Sequence, residues 1–330
     1  MADGILVVLE PRVNRYHKVN LQLIGEAVYL AGKNGQKITV LYTGEQAEEY
    51  YVELSRYGMN RLICTKTSAA NDYRSFSEAV IQVIEKRIMP KLVIFPDSDL
   101  CRLVASITTT RLGCALTAEC IELRYEEGDY IFVRTALGAS CIAEIKAMNC
   151  DTAICTVKNN VFQGELQIYE NKECVLEWME QEHGEIDVYY QVVQEKVLEH
   201  LKTMDIGEER VLIGIGRGVD SAALEVIQEV SKRLKIELAC TRPLVESQVM
   251  PRCRQIGQSG ANVKPALYIA VGISGASQHI VGVRDAKKII AINKDRNAPI
   301  FQVCDIGIVA DAKRVFTEVL NYLSSQEVTL

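Results

Sequence analysis

Short apolar runs of strand length alternate along this chain with segments whose apolar residues recur at helical spacing. The run GILVVLE at residues 4–10 is followed by helical spacing over residues 19–31 and by a second run, KITVLYTG, at residues 37–44. Apolar runs with few polar interruptions are typical of strands buried on both faces of a parallel sheet, with helices as the crossovers. The sequence therefore predicts an α/β fold built on mainly parallel sheets with flanking helices.

The same alternation continues through the next segments. RLICTK and KLVIFPDSD predict further buried strands, and Ser98 is a suitable cap for a helix over residues 100–112. Beyond Cys120 apolar and polar residues alternate, and a turn at Glu127–Gly128 predicts a hairpin. SCIAEI and TAICTV follow as short strands, so we expect the first domain to end in added strands.

Chain length and a change in composition and periodicity along the chain predict two domains. A chain of 330 residues exceeds the usual size of one compact domain. Residues 163–200 are charge-rich and poorly periodic, so a connecting segment is expected there. We predict an N-terminal α/β domain over residues 1–200 and a C-terminal domain over residues 201–330.

Charge and cysteine usage disfavour several classes of function. The net charge is -6 with acidic and basic residues interspersed, which disfavours binding to nucleic acid. Apolar stretches are too short for a membrane span and the N-terminus does not resemble a signal peptide, so we expect a cytoplasmic protein. The 11 cysteines include no C-x-x-C pair, so they are interpreted as reduced thiols and no metal site is predicted.

Strands of the second domain end in glycine and small polar residues. RVLIGIGRGV places glycines at 214, 216 and 218 after an apolar strand, a weak dinucleotide signal because the full G-x-G-x-x-G spacing is missing. PALYIAVGISGASQH predicts a strand over residues 267–271 that breaks at Gly272. A helix beginning after this break would offer amides and its dipole to a pyrophosphate. Two later strands also end in polar residues, at the edge where open α/β sheets bind ligands.

Six segments of the second domain follow one another in an order and spacing typical of one family: GRG, TR, QIGQSG, LYIAVGISGASQH, AINKD-x-x-APIF and D-x-GIVAD. On these segments the chain resembles the alpha, or large, subunit of the electron-transfer flavoproteins. The resemblance is dense over about residues 210–311 and rests, in the first domain, on chain length and the order of elements. It implies that the second domain is a Rossmann-like FAD-binding domain.

The resemblance also implies roles around the flavin ring. Arg242 would place its guanidinium over the ring and raise its potential, and His279 would donate to the N1/C2 carbonyl edge. Gln258 and Ser259 would donate on the N5/O4 side. Outside such a motif, a lone arginine is usually a surface charge and a lone histidine a helix or core residue.

Further positions follow from the same resemblance. Ser274 and the backbone around it would hold the pyrophosphate, Asn293 and Lys294 the ribose and phosphate region, and Asp311 the adenosine end. The full set of predicted cofactor-binding residues is Gly216, Arg217, Gly218, Thr241, Arg242, Gln255, Ile256, Gly257, Gln258, Ser259, Gly272, Ile273, Ser274, Gly275, Ala276, Gln278, His279, Asn293, Lys294, Asp295 and Asp311. No catalytic residue is predicted, because the polar residues converge on flavin and phosphate rather than on a substrate cavity.

The resemblance implies electron transfer within a heterodimer in which the first domain packs on a beta subunit. It also implies that the FAD domain can move, and we expect the hinge near residues 190–205. One form takes electrons from NADH through the beta subunit and divides them between ferredoxin and a flavin-dependent dehydrogenase or quinone-linked acceptor, as in anaerobic metabolism. The alternative form accepts electrons from acyl-CoA dehydrogenases without bifurcation. In either form oxidoreductase activity belongs to the complex. A more distant alternative is a nucleotide-binding regulatory protein, which the strand order of the first domain leaves open.

Overall fold

The structure is a computed structural model, and it describes residues 4–11, 13–44, 47–65, 73–137, 141–159, 161–162, 167–169, 173–180 and 206–325. Described residues up to 180 belong to one compact unit, unit 1, and those from 206 onward, unit 2, to another. The domain boundary predicted near residue 200 and the hinge predicted near residues 190–205 both lie outside the described residues. The description of unit 2 begins at residue 206. The boundary and the hinge therefore stay predictions.

Unit 1 is built on one large sheet, sheet A, with strand order β7-β6-β5-β8-β4-β1-β2-β3-β9. Its strands are β1 (Ile5–Val8), β2 (Ile38–Thr43), β3 (Arg61–Thr65), β4 (Leu92–Pro96), β5 (Ala115–Glu126), β6 (Asp129–Ala136), β7 (Cys141–Lys146), β8 (Ala153–Val157) and β9 (Val175–Trp178). Its helices are α1 (Val13–Asn34), α2 (Ala47–Leu54), α3 (Tyr73–Val83) and α4 (Asp99–Leu112). All pairs are parallel except β5–β6 and β6–β7, so the predicted α/β class is confirmed.

Two local predictions in unit 1 are confirmed. The hairpin turns at Glu127 and Gly128, which have φ values of 50° and 92°, between the paired residues Glu126 and Asp129. The Ser98 side chain caps α4 by accepting the amide hydrogen of Cys101. One strand is unexpected, because β9 lies within the predicted connecting segment and pairs with β3 at the edge of sheet A.

A buried carboxyl group lies beyond the ends of β1 and β4, where the strand order of sheet A reverses. Glu10 follows β1 and Ser98 follows β4, and these two strands are neighbours. The Ser98 hydroxyl donates to Glu10 Oε2, and Asn20 binds both the amide and the carbonyl of Glu10, at 3.0 and 3.1 Å. Glu10 has no exposed surface. Open α/β sheets bind ligands at such a position, and here a side chain of the protein itself lies there, hydrogen-bonded to Ser98.

Unit 2 is built on a fully parallel sheet, sheet B, with strand order β11-β10-β12-β13-β14. Its strands are β10 (Val211–Ile215), β11 (Glu237–Cys240), β12 (Leu267–Val271), β13 (Ile289–Asn293) and β14 (Ile306–Val309). Its helices are α5 (Ser221–Leu234), α6 (Arg242–Glu246), α7 (Ser277–Ile280) and α8 (Ala312–Ser325). Strand order reverses between β10 and β12, so a crevice is expected beyond the carboxyl ends of these two strands.

Separate apolar clusters cover the two faces of sheet B. Leu212, Ala239 and Tyr268 point to one face, and Ile213, Cys240 and Ile269 belong to the cluster on the other. Burial on both faces explains why these strands read as continuous apolar runs. Within the described parts of the chain, every helix is too short or too polar to span a lipid bilayer.

Candidate functional site

The predicted binding residues collect at the carboxyl edge of sheet B. Each strand is followed there by part of the set: residues 216–218 after β10, 241–242 after β11, 272–276 after β12, 294–295 after β13 and 311 after β14. In a parallel sheet these ends lie side by side, so positions almost 100 residues apart in sequence share one edge. Asn293 is the last residue of β13, and the remaining members, Gln255 to Ser259 and Gln278 to His279, join this edge through loop contacts.

Glycines bring the loops after β10 and β12 into direct backbone contact. The amide of Gly216 donates to Val271 O at 2.8 Å, and that of Gly218 donates to Gly272 O at 3.0 Å. A Cβ atom on Gly216 would lie 2.3 Å from Gly272 O, far inside contact distance. Gly272 itself has a φ of 63°, which favours glycine. The glycines of GRG therefore allow the loops after β10 and β12 to make backbone contact at the crevice.

The loop after β12 presents backbone amides that have no internal acceptor. Within residues 206–325, the amide hydrogens of Ser274, Gly275 and Ala276 meet no hydrogen-bond acceptor of the chain. The loop is fixed from behind, because Ile300 donates its amide hydrogen to Ser274 O at 3.0 Å and a Cβ on Gly275 would lie 2.3 Å from Ile300 N. Such a row of amides is suited to an anion.

The helix expected after this loop is too short to contribute a substantial helix dipole to phosphate binding. α7 has four residues, Ser277–Ile280, and then gives way to turns. A helix dipole sums over aligned peptides, so a single turn contributes little of it. The expectation of a helix-dipole contribution to phosphate binding is therefore corrected: the loop amides remain, and the dipole is minor.

Arg242 and the loop of QIGQSG lie together at the end of β11. Cys240 forms a parallel bridge with Gln255, and its carbonyl accepts the amide hydrogen of Ile256 at 2.9 Å. Thr241 is buried and directly precedes the short helix α6, which begins with Arg242; its side chain makes no capping hydrogen bond. The Arg242 side chain is 67% exposed, and its Nε donates to Glu246 Oε1 at 2.7 Å. A guanidinium cation therefore stands at this edge with most of its surface available.

Gln255 orients the hydroxyl group of Ser259. Gln255 is 5% exposed, and its Nε2 donates to Ser259 Oγ at 2.9 Å. The hydroxyl oxygen is thereby used as an acceptor, so its own hydrogen is directed elsewhere. Close packing fixes this arrangement, because a Cβ on Gly260 would lie 2.4 Å from Gln255 O. Ser259 itself is exposed and can donate to a ligand.

His279 is a buried, neutral imidazole whose two nitrogens are both engaged. Burial lowers its pKa to about 4, despite a hydrogen bond from Nδ1 to Ile256 O at 3.2 Å. A carbonyl only accepts, so Nδ1 carries the hydrogen and Nε2 accepts from the Tyr268 hydroxyl at 2.9 Å. Neither nitrogen has a hydrogen left for a flavin in this arrangement. The donor role expected for His279 is thus not available to the ring as it is placed here.

The residues after β13 and β14 are largely engaged with each other and with the backbone. Asn293 Nδ2 donates to Ile273 O at 2.9 Å, which ties β13 to the loop after β12. Lys294 Nζ lies 3.3 Å from Asp311 Oδ2, and Asp311 also accepts the amide hydrogen of Arg314 at the start of α8. These contacts lower the pKa of Asp311. Asp295 accepts from the amide of Asn297 at 2.9 Å.

Sequence reasoning missed two residues that shape this edge, Tyr268 and Glu246, and noted Gly214 without the contact that it allows. Tyr268 holds His279, Glu246 holds Arg242, and Gly214 leaves space for the Tyr268 hydroxyl, which would lie 1.8 Å from a Cβ at 214. The spacing of Arg242 and Glu246 by four residues is a signal that sequence alone carries. The contact of Tyr268 with Gly214 crosses from β12 to β10 and leaves no local signal. Among the described residues, no group of His, Cys, Asp and Glu side chains is placed to hold a metal ion.

The chain matches two protein-family models. Residues 5–186 match the electron transfer flavoprotein domain, and residues 205–284 match the electron transfer flavoprotein FAD-binding domain. The second match contains the predicted residues from Gly216 to His279. Those from Asn293 to Asp311 lie beyond its end.

Several characterised proteins are similar over most of this chain. Protein FixB of Clostridium saccharobutylicum is 33% identical over 326 residues, covering 96% of this chain and 95% of that protein. Subunit LctC of lactate dehydrogenase (NAD(+),ferredoxin) of Acetobacterium woodii is 31% identical over 328 residues, covering 98% and 78%. The electron transfer flavoprotein subunit alpha of Clostridium acetobutylicum is 30% identical over 327 residues, covering 96% of both.

Proposed function

Because the chain belongs to the electron transfer flavoprotein family as an alpha, or large, subunit, we propose that it binds FAD along the carboxyl edge of sheet B and exchanges electrons there with partner proteins. FAD is the cofactor of this domain in the family, and membership implies a heterodimer with a beta subunit. When bound, FAD supplies the isoalloxazine ring that accepts and releases electrons. The observation that carries the site assignment is the row of free amides and the exposed cation of Arg242 at one sheet edge.

The chemistry of this edge fits a flavin dinucleotide. A pyrophosphate requires donors without internal partners, and the amides of Ser274, Gly275 and Ala276 meet that requirement. A ring that gains negative charge on reduction requires a nearby cation and donors, which Arg242 and the Ser259 hydroxyl supply. The glycine contacts between the loops keep side chains out of the crevice. These features support a pyrophosphate site at the loop amides, a ring site beside Arg242 and Ser259, and a crevice at the sheet edge that is free of side chains.

The chain's own residues would act on the bound ring by position and charge. The Arg242 guanidinium stabilises added negative charge, because attraction between opposite charges grows as surrounding water is displaced. Gln255 directs the Ser259 hydroxyl hydrogen away from itself and toward a ligand. His279 holds the Ile256 carbonyl and so fixes the loop that carries Gln258 and Ser259.

A complex of this chain with its beta subunit tests the assignment. We expect a yellow heterodimer that releases FAD on denaturation. In Arg242→Ala, most FAD should stay bound, because the pyrophosphate contacts are untouched, while the midpoint potential of the flavin should fall. Arg233→Ala is a matched control, since Arg233 pairs with Glu229 on α5 in the same kind of ion pair. A colourless heterodimer that takes up no FAD would rule out the function.

We further propose that the heterodimer couples NADH oxidation to ferredoxin. Support comes from the name of the LctC relative, a subunit of a lactate dehydrogenase that uses NAD(+) and ferredoxin. One electron of each NADH pair would go to ferredoxin and the other through the FAD of unit 2 to a flavin-dependent dehydrogenase. A carrier that accepts electrons from acyl-CoA dehydrogenases is the alternative, since another relative is named only as an electron transfer flavoprotein subunit alpha.

Flavin content and acceptor dependence separate these two forms. We expect a second FAD in the beta subunit and ferredoxin reduction by NADH only when the dehydrogenase and its substrate are present. A single FAD per heterodimer, together with reduction of that FAD by an acyl-CoA dehydrogenase and its substrate, would establish the simple carrier instead.

A further inference from the structure

Arg242 is held by a carboxylate of its own helix. Its Nε donates to Glu246 Oε1 at 2.7 Å across one turn of α6. A guanidinium bound through Nε keeps both terminal nitrogens for another acceptor, so the contact fixes the direction of the group without exhausting its donors. Glu246 is itself 60% exposed on its side chain and makes no other ion pair in the described residues of unit 2.

The pair lies at the functional edge of sheet B. Arg242 follows Thr241 at the end of β11, and the neighbouring Cys240 carbonyl receives the Ile256 amide, so the loop of Gln258 and Ser259 begins beside it. The Glu246 carboxylate is next to the Arg242 guanidinium, so its negative charge acts on the same bound group as the positive charge of Arg242. Since ring reduction adds negative charge, a carboxylate beside Arg242 opposes the stabilisation that the guanidinium provides.

We propose that Glu246 is a positioning residue that sets the redox potential of the bound flavin, by orienting Arg242 and by offsetting part of its positive charge. The inference rests on the proposed function, because it assumes that Arg242 faces the flavin. It adds to that function a residue that lowers the potential from the value Arg242 alone would give. A stabilising role alone is a poor explanation, because exposed ion pairs contribute little to folding stability.

Two substitutions separate the effects of charge and orientation. Glu246→Gln removes the charge and keeps an oxygen that can accept from Arg242 Nε, so the flavin should take up its first electron more readily. We expect the equilibrium constant for that step to rise about threefold to tenfold, which corresponds to about 28–59 mV for one electron. Glu246→Ala also releases the guanidinium, so its potential should be lower than that of Glu246→Gln.

A matched control lies in the same unit. Glu229 and Arg233 form an ion pair of the same spacing at 3.0 Å, and both side chains are about half exposed. They lie in the last turns of α5, which leads to the start of β11, and therefore at the opposite edge of sheet B. Glu229→Gln changes the net charge of the unit by the same amount, and we expect it to leave the potential unchanged.

The measurement is a redox titration of the FAD-loaded heterodimer, followed by the flavin absorbance, with FAD content as the check on folding. A potential in Glu246→Gln that does not exceed the wild type and the Glu229→Gln control overturns the proposal. If Arg242→Ala lowers the potential while Glu246→Gln leaves it unchanged, only the role of Glu246 fails. If neither changes it, the placement of Arg242 at the flavin fails as well.

Discussion

The amide of Gln255 decides where the Ser259 hydroxyl hydrogen points. We predict that Gln255→Glu reverses this hydrogen bond, because a carboxylate accepts from the hydroxyl and withdraws its hydrogen from the ligand. Ser259→Ala removes the same donor, so both variants should bind FAD about twofold to tenfold more weakly, the worth of one hydrogen bond. FAD release from the heterodimer, followed by flavin fluorescence, measures this.

Ser247→Ala is the control for the variants Gln255→Glu and Ser259→Ala. The Ser247 hydroxyl donates to Pro243 O at 2.9 Å on the exposed side of α6, so its loss should not alter FAD release. Wild-type affinity in Gln255→Glu together with a loss in Ser259→Ala would mean that Gln255 does not direct the hydroxyl.

The buried imidazole of His279 makes unit 2 sensitive to acid. Its pKa falls from an ordinary 6.5 to about 4 on folding because burial disfavours the charged ring. The unfolded chain therefore binds the proton more readily, so this contribution to stability is complete above the ordinary pKa and is lost as the pH falls toward 4. Between pH ~7 and ~5 we predict a loss of about 1–2 kcal/mol in the free energy of unfolding.

Denaturant unfolding of the heterodimer at both pH values measures this loss, with His279→Gln as the variant. That variant should be less stable throughout, yet its stability should depend less on pH. His17→Gln alters a half-exposed histidine of unit 1 that pairs with Glu53, and the acid sensitivity of unit 2 should persist in it. An undiminished pH dependence in His279→Gln would contradict the assignment.

The sequence predicted which residues belong to the site better than it predicted the hydrogen bonds that these residues form. Arg242, Ser259 and His279 stand out because each lies in a motif of fixed spacing. The state of His279 could not be read in this way, since it depends on Tyr268, whose partner strand and facing glycine are set by the sheet. A hydrogen bond that crosses between elements has no signature in the local sequence.

At the scale of elements, the two glycine loops are the most constrained feature of unit 2. We predict that Gly216→Ala destabilises the protein by about 1–3 kcal/mol and weakens FAD binding. The reason is that the new Cβ would lie 2.3 Å from the backbone oxygen of Gly272, which cannot move as a flexible side chain would. Thermal unfolding and FAD titration measure the two effects.

Gly32→Ala in α1 is the matched control. Nothing lies within 4 Å of a Cβ at this exposed helical position, so alanine should leave FAD binding unchanged and raise stability by about 0.5–1 kcal/mol. Equal behaviour of the two variants would mean that the loops after β10 and β12 separate at no cost.

Element prediction succeeded where periodicity is strong and failed where it is weak. The buried strands of both sheets read as apolar runs because helices or loops cover both faces, and Ser98 marks the start of α4. β9 has only four residues, and Val175 and Trp178 are partly exposed, so VLEW gives no alternation to detect. The helix expected after Gly272 does begin, but its length could not be predicted, because the GASQH segment is compatible with a helix that the following turns do not continue.

At the scale of the whole molecule, FAD should stabilise one unit selectively. Hydrogen exchange of the heterodimer with and without FAD should show slower exchange in residues 272–279 and 255–259, because a ligand that binds only the folded state suppresses local opening. Strands β1 and β4 lie in unit 1 and serve as the internal reference. Equal slowing in β1 and β4 would contradict a site confined to sheet B.

The fold class was accessible from sequence, whereas the strand order was not. Alternating strands and helices predict parallel sheets, yet nothing local indicates that β8 lies between β4 and β5. That placement follows from pairing of Ala115 and Leu92 with the same residue, Ala153, across distant parts of the chain. Order of this kind is decided by which faces can be buried together, a property of the assembled sheet.

The Glu10 carboxyl group beyond the ends of β1 and β4 has a practical consequence. Because it is part of the chain, it remains close to Ser98 at any ligand concentration, and a nucleotide placed here would have to break the hydrogen bond between the two side chains. A regulatory role through nucleotide sensing by unit 1 would need this bond to break. Any ligand that used this position would therefore compete with the hydrogen bond between Glu10 and Ser98.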